Sequence, residues 1–157
     1  MGIMIIRFLS LFFMGLALGG SLAHLFELPN KIHLPREDYL TVQQIYRGWA
    51  LLGIPVAGAL ISTLVLAVMV RKEPRVLLWT LIAMAGIVGT QVVFWAFTYP
   101  ANQQTHNWTM LPPNWEELRQ RWEYSHALGA VLNVIAHSAL VLSILVGSAD
   151  RPAAHVR

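Results

Sequence analysis

The chain has 157 residues, of which 56% are hydrophobic and only 12% are charged, and its formal net charge is +3. A soluble domain carries about 25% charged residues, so much of this chain's surface must face lipid rather than water. The small net charge, without a basic tract, argues against nucleic acid as a partner. The absence of cysteine excludes disulfides, zinc–thiolate sites and thiol catalysis.

Four apolar runs are long enough to cross a hydrocarbon core of about 30 Å, which takes roughly 20 helical residues. The runs are continuous rather than alternating, and only helices and closed barrels satisfy their own backbone groups in lipid, so each run predicts a helix. The sequence therefore predicts a single domain over residues 1–157, an all-α, integral membrane four-helix bundle in the lipid bilayer. The predicted spans are residues 3–28, 49–70, 76–97 and 127–147.

The first run also resembles a signal peptide, because a positive start and an apolar stretch precede the small residues of segment 20–23. The apolar stretch continues through Leu25 and Phe26, beyond a usual signal core, so we expect an uncleaved helix. Pro29 is expected to end this helix, since the residue before a proline is pushed out of the α region.

The second and fourth helices are expected to project beyond the bilayer and form a small extracytoplasmic cap. Pro35, with two acids just after it, is typical of a helix start, so the second helix is expected to begin there. Residues 98–113 contain three prolines and predict an extended loop. Asn114 followed by Glu117 predicts the start of the fourth helix, from Trp115 to Gly147. Its end is marked by Asp150 and Pro152.

Basic residues in short segments indicate how the bundle is inserted. The compact turn 71–75 contains three basic residues, which predicts that this turn is cytoplasmic. Arg7, Arg151 and Arg157 fall on the same side. The sequence thus predicts a multi-pass protein of the cell (inner) membrane, with both termini in the cytoplasm and the two larger connections outside.

Two sequence patches, one closing the first helix and one leading into the fourth, contain the candidate chemistry. Each has a histidine and a glutamate three residues apart on one helix face, namely His24 with Glu27 and Glu123 with His126. Two imidazoles and two carboxylates suit iron, manganese, zinc or copper. The second and third helices offer no further glutamate at this level, so a mononuclear metal site and a metal-free site both remain open.

A second interpretation of the same residues is a buried ion-pair network that fixes how the cap docks. Buried carboxylates need such partners, because stranding one charge costs several kcal/mol. Metal-free acid–base chemistry is a third interpretation. The candidate basic partners of the two glutamates are Lys31, Arg47, Arg119 and Arg121.

A polar stripe runs along the fourth helix and reaches the middle of the bilayer at His137. At about 100° per residue its members fall within roughly 40° of one line. His137 and Asn133 are candidate ligands of a cofactor, which could be a metal or, fitting less well, a haem or a quinone; the alternative is a polar contact between helices. The stripe consists of Arg119, Trp122, His126, Asn133 and His137.

In a catalytic site the two glutamates would be bases or metal ligands, and the two histidines would be ligands or acid–base partners. Trp122 and Tyr124 would shape an aromatic pocket for a flat, apolar small molecule such as a quinone or a polycyclic phenol. Arg119 and Arg121 would stabilise developing oxyanion charge.

Three motifs resemble those of a bacterial family of four-helix membrane proteins that is distantly related to the anthrone oxygenase superfamily. The motifs are HLFELP at 24–29, YRGW at 46–49, and RWEYSH at 121–126 with Asn114-Trp115 before it. The resemblance covers nearly the whole chain. It implies a reaction of oxygen with an electron-rich aromatic substrate and without a bound cofactor, and it transfers no catalytic residue.

These observations predict a membrane oxidoreductase of the oxygenase type, with its site at the outer membrane boundary. The alternative is a non-catalytic small accessory subunit that stabilises a larger membrane complex, and a homo-oligomer is a further expected assembly. An enzyme encloses a pocket among its own helices, whereas a subunit buries one helix face against a partner.

Overall fold

The computed structural model describes residues 1–149, and within that range the chain forms only helices, turns and short irregular segments. The four positions used above beyond that range, Asp150, Arg151, Pro152 and Arg157, lie outside the described residues. The α-helices are α1 (Gly2–Lys31), α2 (Arg36–Gln43), α3 (Gly53–Met69), α4 (Pro74–Val93), α5 (Tyr99–Gln104) and α6 (Trp115–Ala149).

Four helical stretches are long and apolar enough to cross a membrane, which confirms the predicted all-helical membrane protein. α1 packs against α3 and α6, and α4 packs against α6 and α3. Large apolar side chains remain exposed along the long helices, as expected of surfaces that face lipid. The four stretches are Gly2–Lys31, Trp49–Met69, Pro74–Gln104 and Trp115–Ala149.

The predicted end of α1 at Pro29 is wrong, because the helix continues through this residue to Lys31. A proline in the last turn removes only one backbone donor, and the N–H of Ile32 still bonds the carbonyl of Leu28 at 3.0 Å. The extra residues keep Lys31 one turn beyond Glu27 on the same face of the helix.

The predicted continuous second helix is also wrong. α2 ends at Gln43, and two 3₁₀ turns follow at Gln44–Tyr46 and Trp49–Leu52 before α3 begins. Gly48 lies between the two turns with φ of 85°, a conformation that residues with a Cβ rarely adopt. The fourth predicted helix, by contrast, is one unbroken helix from Trp115.

The prolines predicted an extended loop over residues 98–113, but part of this segment is helical. The third membrane helix continues through a π-helical turn, Phe94–Thr98, into α5. Pro100 is tolerated because it directly follows the π-helical turn, and such local adjustments satisfy the backbone groups that a proline leaves free. The turn after α5 contains three successive residues with positive φ, His106, Asn107 and Trp108.

Besides the apolar core between the long helices, a smaller apolar cluster lies where α1 ends and α6 begins. We call this end of the bundle the site end. The opposite end, where Val70–Pro74 joins α3 to α4, is called the turn end. The small cluster packs α2 and the residues around α5 onto the first turns of α6. Its buried members are Tyr39, Ala101, Trp108, Leu111, Leu118 and Trp122.

Candidate functional site

Lys31, the last residue of α1, is only 2% exposed and lies between two carboxylates. Its ammonium donates to Glu27 Oε1 at 3.1 Å and to the hydroxyl of Tyr46 at 2.9 Å. Glu123 Oε1, which α6 supplies, lies 3.2 Å from the same nitrogen. One buried lysine therefore joins the two sequence patches that contain the glutamates.

Glu123 is 1% exposed and accepts a second hydrogen bond from α2. The hydroxyl of Tyr39 donates to Glu123 Oε1 at 2.9 Å, and the amide of Gln43 donates to the Tyr39 oxygen at 2.6 Å. Burial raises the pKa of Tyr39, and the charge of Glu123 raises it further, so Tyr39 stays a neutral donor. The bonds run in one direction, from Gln43 through Tyr39 to Glu123.

Glu27 is the more accessible carboxyl, because its side chain is 23% exposed. Besides the bond from Lys31, its Oε1 lies 3.0 Å from Nδ1 of His24, one helical turn earlier. Burial and the neighbouring Glu27 raise the pKa of Tyr46, which keeps this hydroxyl neutral as well. Glu27 is thus held by α1 itself and remains within reach of a molecule at the protein surface.

Aromatic rings enclose the lysine and the histidines. The rings of His24 and His126 stack with centroids 4.0 Å apart, and the Trp122 ring lies 4.2 Å from that of His126. The Lys31 ammonium lies 4.2 Å from the centre of the Tyr46 ring and 4.3 Å from that of Trp122. Such contacts stabilise a desolvated cation by about 2 kcal/mol.

The structure brings together the four residues first singled out, His24, Glu27, Glu123 and His126. Within residues 1–149, however, no group of three or more His, Asp or Glu side chains is arranged so that it could hold a metal ion. The position between the two carboxylates is taken by the Lys31 ammonium. The arrangement is therefore the ion-pair network that was the second interpretation of the sequence.

Of three other predicted catalytic residues, Arg121 and Tyr124 do not reach this cluster, and Arg119 meets it only through Tyr39, with its guanidinium carbon 5.5 Å from the centre of that ring. Arg119 donates to the carbonyl of Leu34 at 2.8 Å, and Arg121 pairs with the exposed Glu117 at 3.4 Å. Tyr124 is 59% exposed. At about 100° per residue, positions 121 and 124 lie about 150° around α6 from the face shared by residues 122 and 123. Trp122 alone of the predicted aromatic pair lines the cluster.

The polar stripe of α6 divides into two parts. Asn133 is buried and donates to the hydroxyl of Ser21, so it joins α6 to α1. His137 is half-buried, and within the described residues its Nδ1 is buried without a hydrogen-bond partner. The polar contact between α6 and α1 is therefore made by Asn133. That His137 binds a cofactor stays a prediction.

Several residues of the site were missed by the sequence reasoning. Tyr39 and Gln43 stand one turn apart on α2, and this spacing was the available signal. Asn102 gave no local signal, because its role depends on two distant tryptophans. Its Oδ1 accepts from the indole of Trp108 at 3.0 Å and from that of Trp122 at 2.9 Å, which fixes the Trp122 ring.

An apolar groove of about 480 Å³ runs beside the cluster. Its α1 side is formed by small residues that end at Ala23, one turn before Glu27, and its opposite wall includes Trp49. The Trp49 ring lies 5.1 Å from that of His24. The groove therefore lies next to the partly exposed end of the cluster. Its lining residues are Gly19, Gly20, Ala23, Gly48, Trp49, Leu51 and Leu52.

Comparison with known proteins adds no relative. No family model, no curated protein and no solved structure matches the chain. A helical bundle by itself implies no function, so the side chains of the site are what indicates one.

Proposed function

We propose that this protein is a membrane oxidoreductase of the oxygenase type, which acts on an apolar, electron-rich aromatic substrate. The observation that supports this proposal is the buried Glu27–Lys31–Glu123 cluster beside the apolar groove. Buried charges are expensive, and apolar side chains of similar size would often stabilise a fold better. A function that uses the charges explains why they are there.

Glu27 is the base in the proposed reaction. It takes a proton from an acidic ring position of the substrate, and the nearby Lys31 ammonium stabilises the negative charge left on the ring. Dioxygen then oxidises the carbanion, so that a ring methylene group becomes a carbonyl group and one water is released. The oxygen molecule supplies both the carbonyl oxygen and the water oxygen, and no other oxidant is needed.

The groove is the proposed substrate site. Its volume lies within the range of about 300–1,000 Å³ typical of small-molecule sites, and its lining is apolar. A flat ring system lying along Gly19 and Ala23, against the Trp49 indole, would have an edge close to Glu27. Such a substrate is soluble in lipid and could reach the groove from the bilayer.

Oxygen consumption by the purified protein in lipid nanodiscs tests the proposal. Tricyclic ring ketones with an acidic methylene group serve as candidate substrates. Glu27→Gln is expected to lower turnover at least 100-fold, because a general base contributes about 10²–10⁴ in rate. Glu117→Gln, an exposed glutamate of α6, is the matched control and is expected to leave turnover unchanged.

A second pair of variants separates binding from chemistry. Gly19→Leu places a side chain in the groove and is expected to raise KM, whereas Gly15→Leu, one turn away and outside the groove, is not. The proposal fails if no candidate substrate supports oxygen uptake. If the chain instead copurifies as a stoichiometric part of a larger membrane complex, the accessory-subunit interpretation replaces it.

We also propose that the site end faces the outside of the cell membrane, as a small cap, and that the turn end faces the cytoplasm. The exposed basic residues Arg71, Lys72 and Arg75 at the turn end support this orientation through the positive-inside rule. The chain contains no cysteine, so single cysteines introduced at each end report the orientation directly.

A further inference from the structure

A buried arginine lies at the turn end, far from the Glu27–Lys31–Glu123 cluster. Arg7, in the second turn of α1, is only 7% exposed. Among the described residues, neither its Nε nor its Nη2 has a hydrogen-bond partner, although both atoms are buried. A guanidinium is always charged, and burying it unpaired costs several kcal/mol. An acceptor for these two donors is therefore needed.

The helix opposite Arg7 is shaped to admit its side chain. A Cβ at position 147 of α6 would stand 2.5 Å from Arg7 Nη2 and 3.3 Å from a methyl carbon of Val76. Any side chain at this position would displace the guanidinium, so Gly147 provides the slot in which it lies. Position 129 of the same helix is the contrast, because a Cβ there would meet nothing within 4 Å.

The slot lies near the level at which the bundle leaves the lipid. Val76, which lines the slot, is two residues from the start of α4, which is about 3 Å along the helix. The turn that precedes α4 and the first turn of that helix add three exposed basic side chains at the same end, Arg71, Lys72 and Arg75. Basic groups next to membrane helices attract anionic lipids.

We propose that Arg7 binds the phosphate group of an anionic phospholipid, with the basic turn 71–75 drawing the headgroup to this end of the bundle. Phosphate oxygens suit a guanidinium, which binds them in a bidentate way. Since Nε and Nη2 are buried, a phosphate oxygen reaches them only by entering the slot at Gly147. A lipid also arrives from the side of the bundle, where a headgroup is held at the depth of the slot by its own acyl chains.

Thermal unfolding of delipidated protein in detergent micelles tests this proposal, with tryptophan fluorescence as the readout. Phosphatidylglycerol added to the micelles is expected to raise Tm by several degrees more than phosphatidylcholine does. Gly147→Ala keeps the arginine and closes the slot, and it is expected to abolish this difference, as is Arg7→Met. Gly129→Ala is the matched control and is expected to retain it.

Three results would overturn the proposal. Equal effects of the two lipids on the wild-type protein would mean that no anionic headgroup is selected. Stabilisation by inorganic phosphate alone, to the same extent, would mean that the ligand is a soluble anion. If Asp150→Asn lowers Tm as much as Arg7→Met, and the double variant loses nothing more, the acceptor belongs to the chain itself. None of these variants changes a residue of the Glu27–Lys31–Glu123 cluster, so the result is independent of the proposed oxygenase function.

Discussion

Replacing Lys31 with methionine tests whether the ion pairs at the site end are as buried as the structure describes. Two unit charges 3.1–3.2 Å apart attract each other by about 5 kcal/mol at an effective dielectric constant of about 20, before the desolvation cost is subtracted. Methionine keeps most of the side-chain volume but leaves Glu123 buried without a cation. Removing one partner of a buried pair costs about 3–5 kcal/mol, so we expect the free energy of unfolding to fall by that amount.

The assay is unfolding in mixed micelles by titration with sodium dodecyl sulfate, followed by the fluorescence of the tryptophans. Arg121→Met is the matched control, because it breaks the exposed Arg121–Glu117 pair and is expected to cost less than about 1 kcal/mol. The double variant Lys31→Met/Glu123→Gln removes both buried charges and is expected to be more stable than Lys31→Met alone. A loss of under about 1 kcal/mol for Lys31→Met, equal to that of the control, would refute the reasoning.

Three further predictions follow from the same end of the molecule. Asn102→Leu leaves two indole N–H groups without their acceptor, which is expected to cost about 2–4 kcal/mol and to change the tryptophan emission, whereas Asn102→Asp keeps the acceptor and most of the stability. Because the folded state raises the pKa of Tyr39 and Tyr46 above the ordinary tyrosine value of about 10, their stabilising contribution is complete below about pH 10 and is lost as the pH rises further. Chemical denaturation across this pH range is expected to show a shallower fall in Tyr46→Phe than in the wild-type protein. In sealed spheroplasts, a membrane-impermeant thiol reagent is expected to label a cysteine placed at Glu37 and not one placed at Lys72; the reverse pattern would invert the proposed orientation.

Helix number and position could be predicted from the sequence because each membrane span must contain a continuous apolar run of sufficient length. The errors arose where local rules for soluble helices were applied at helix ends. Pro29 and Pro100 were expected to break helices. Pro29 stands in the last turn of α1, where one missing donor costs little, and Pro100 follows a π-helical turn that accommodates it. The predicted second helix instead ends at Gln43, and the positive φ of Gly48, which its neighbours in the sequence do not indicate, separates the two 3₁₀ turns that follow.

The candidate site was predictable in part, because the spacing of His24 with Glu27 and of Glu123 with His126 places each pair on one helix face. The sequence offered Lys31 as one of four candidate basic partners, but the spacing could not show which of the four joins the two pairs. Lys31 reaches both glutamates only because α1 continues past Pro29. Likewise, Tyr39 meets Glu123 across 84 positions of sequence, and such a contact depends on how α2 folds back over the bundle.

The two carboxyls of the cluster have different surroundings, and this difference separates their roles. Glu123 is enclosed by protein, with Lys31 and Tyr39 as its donors, so a molecule arriving from the lipid does not meet it. Glu27 lies one turn beyond the groove and keeps part of its side chain accessible. If Glu27 is the base, the function of Glu123 is to hold the Lys31 ammonium in place against the cost of burying it. Glu27→Gln is then expected to remove turnover while leaving most of the stability. Glu123→Gln is expected to have its main effect on stability, by lowering the free energy of unfolding. Equal losses of both properties in both variants would show that the two carboxyls act as one structural unit.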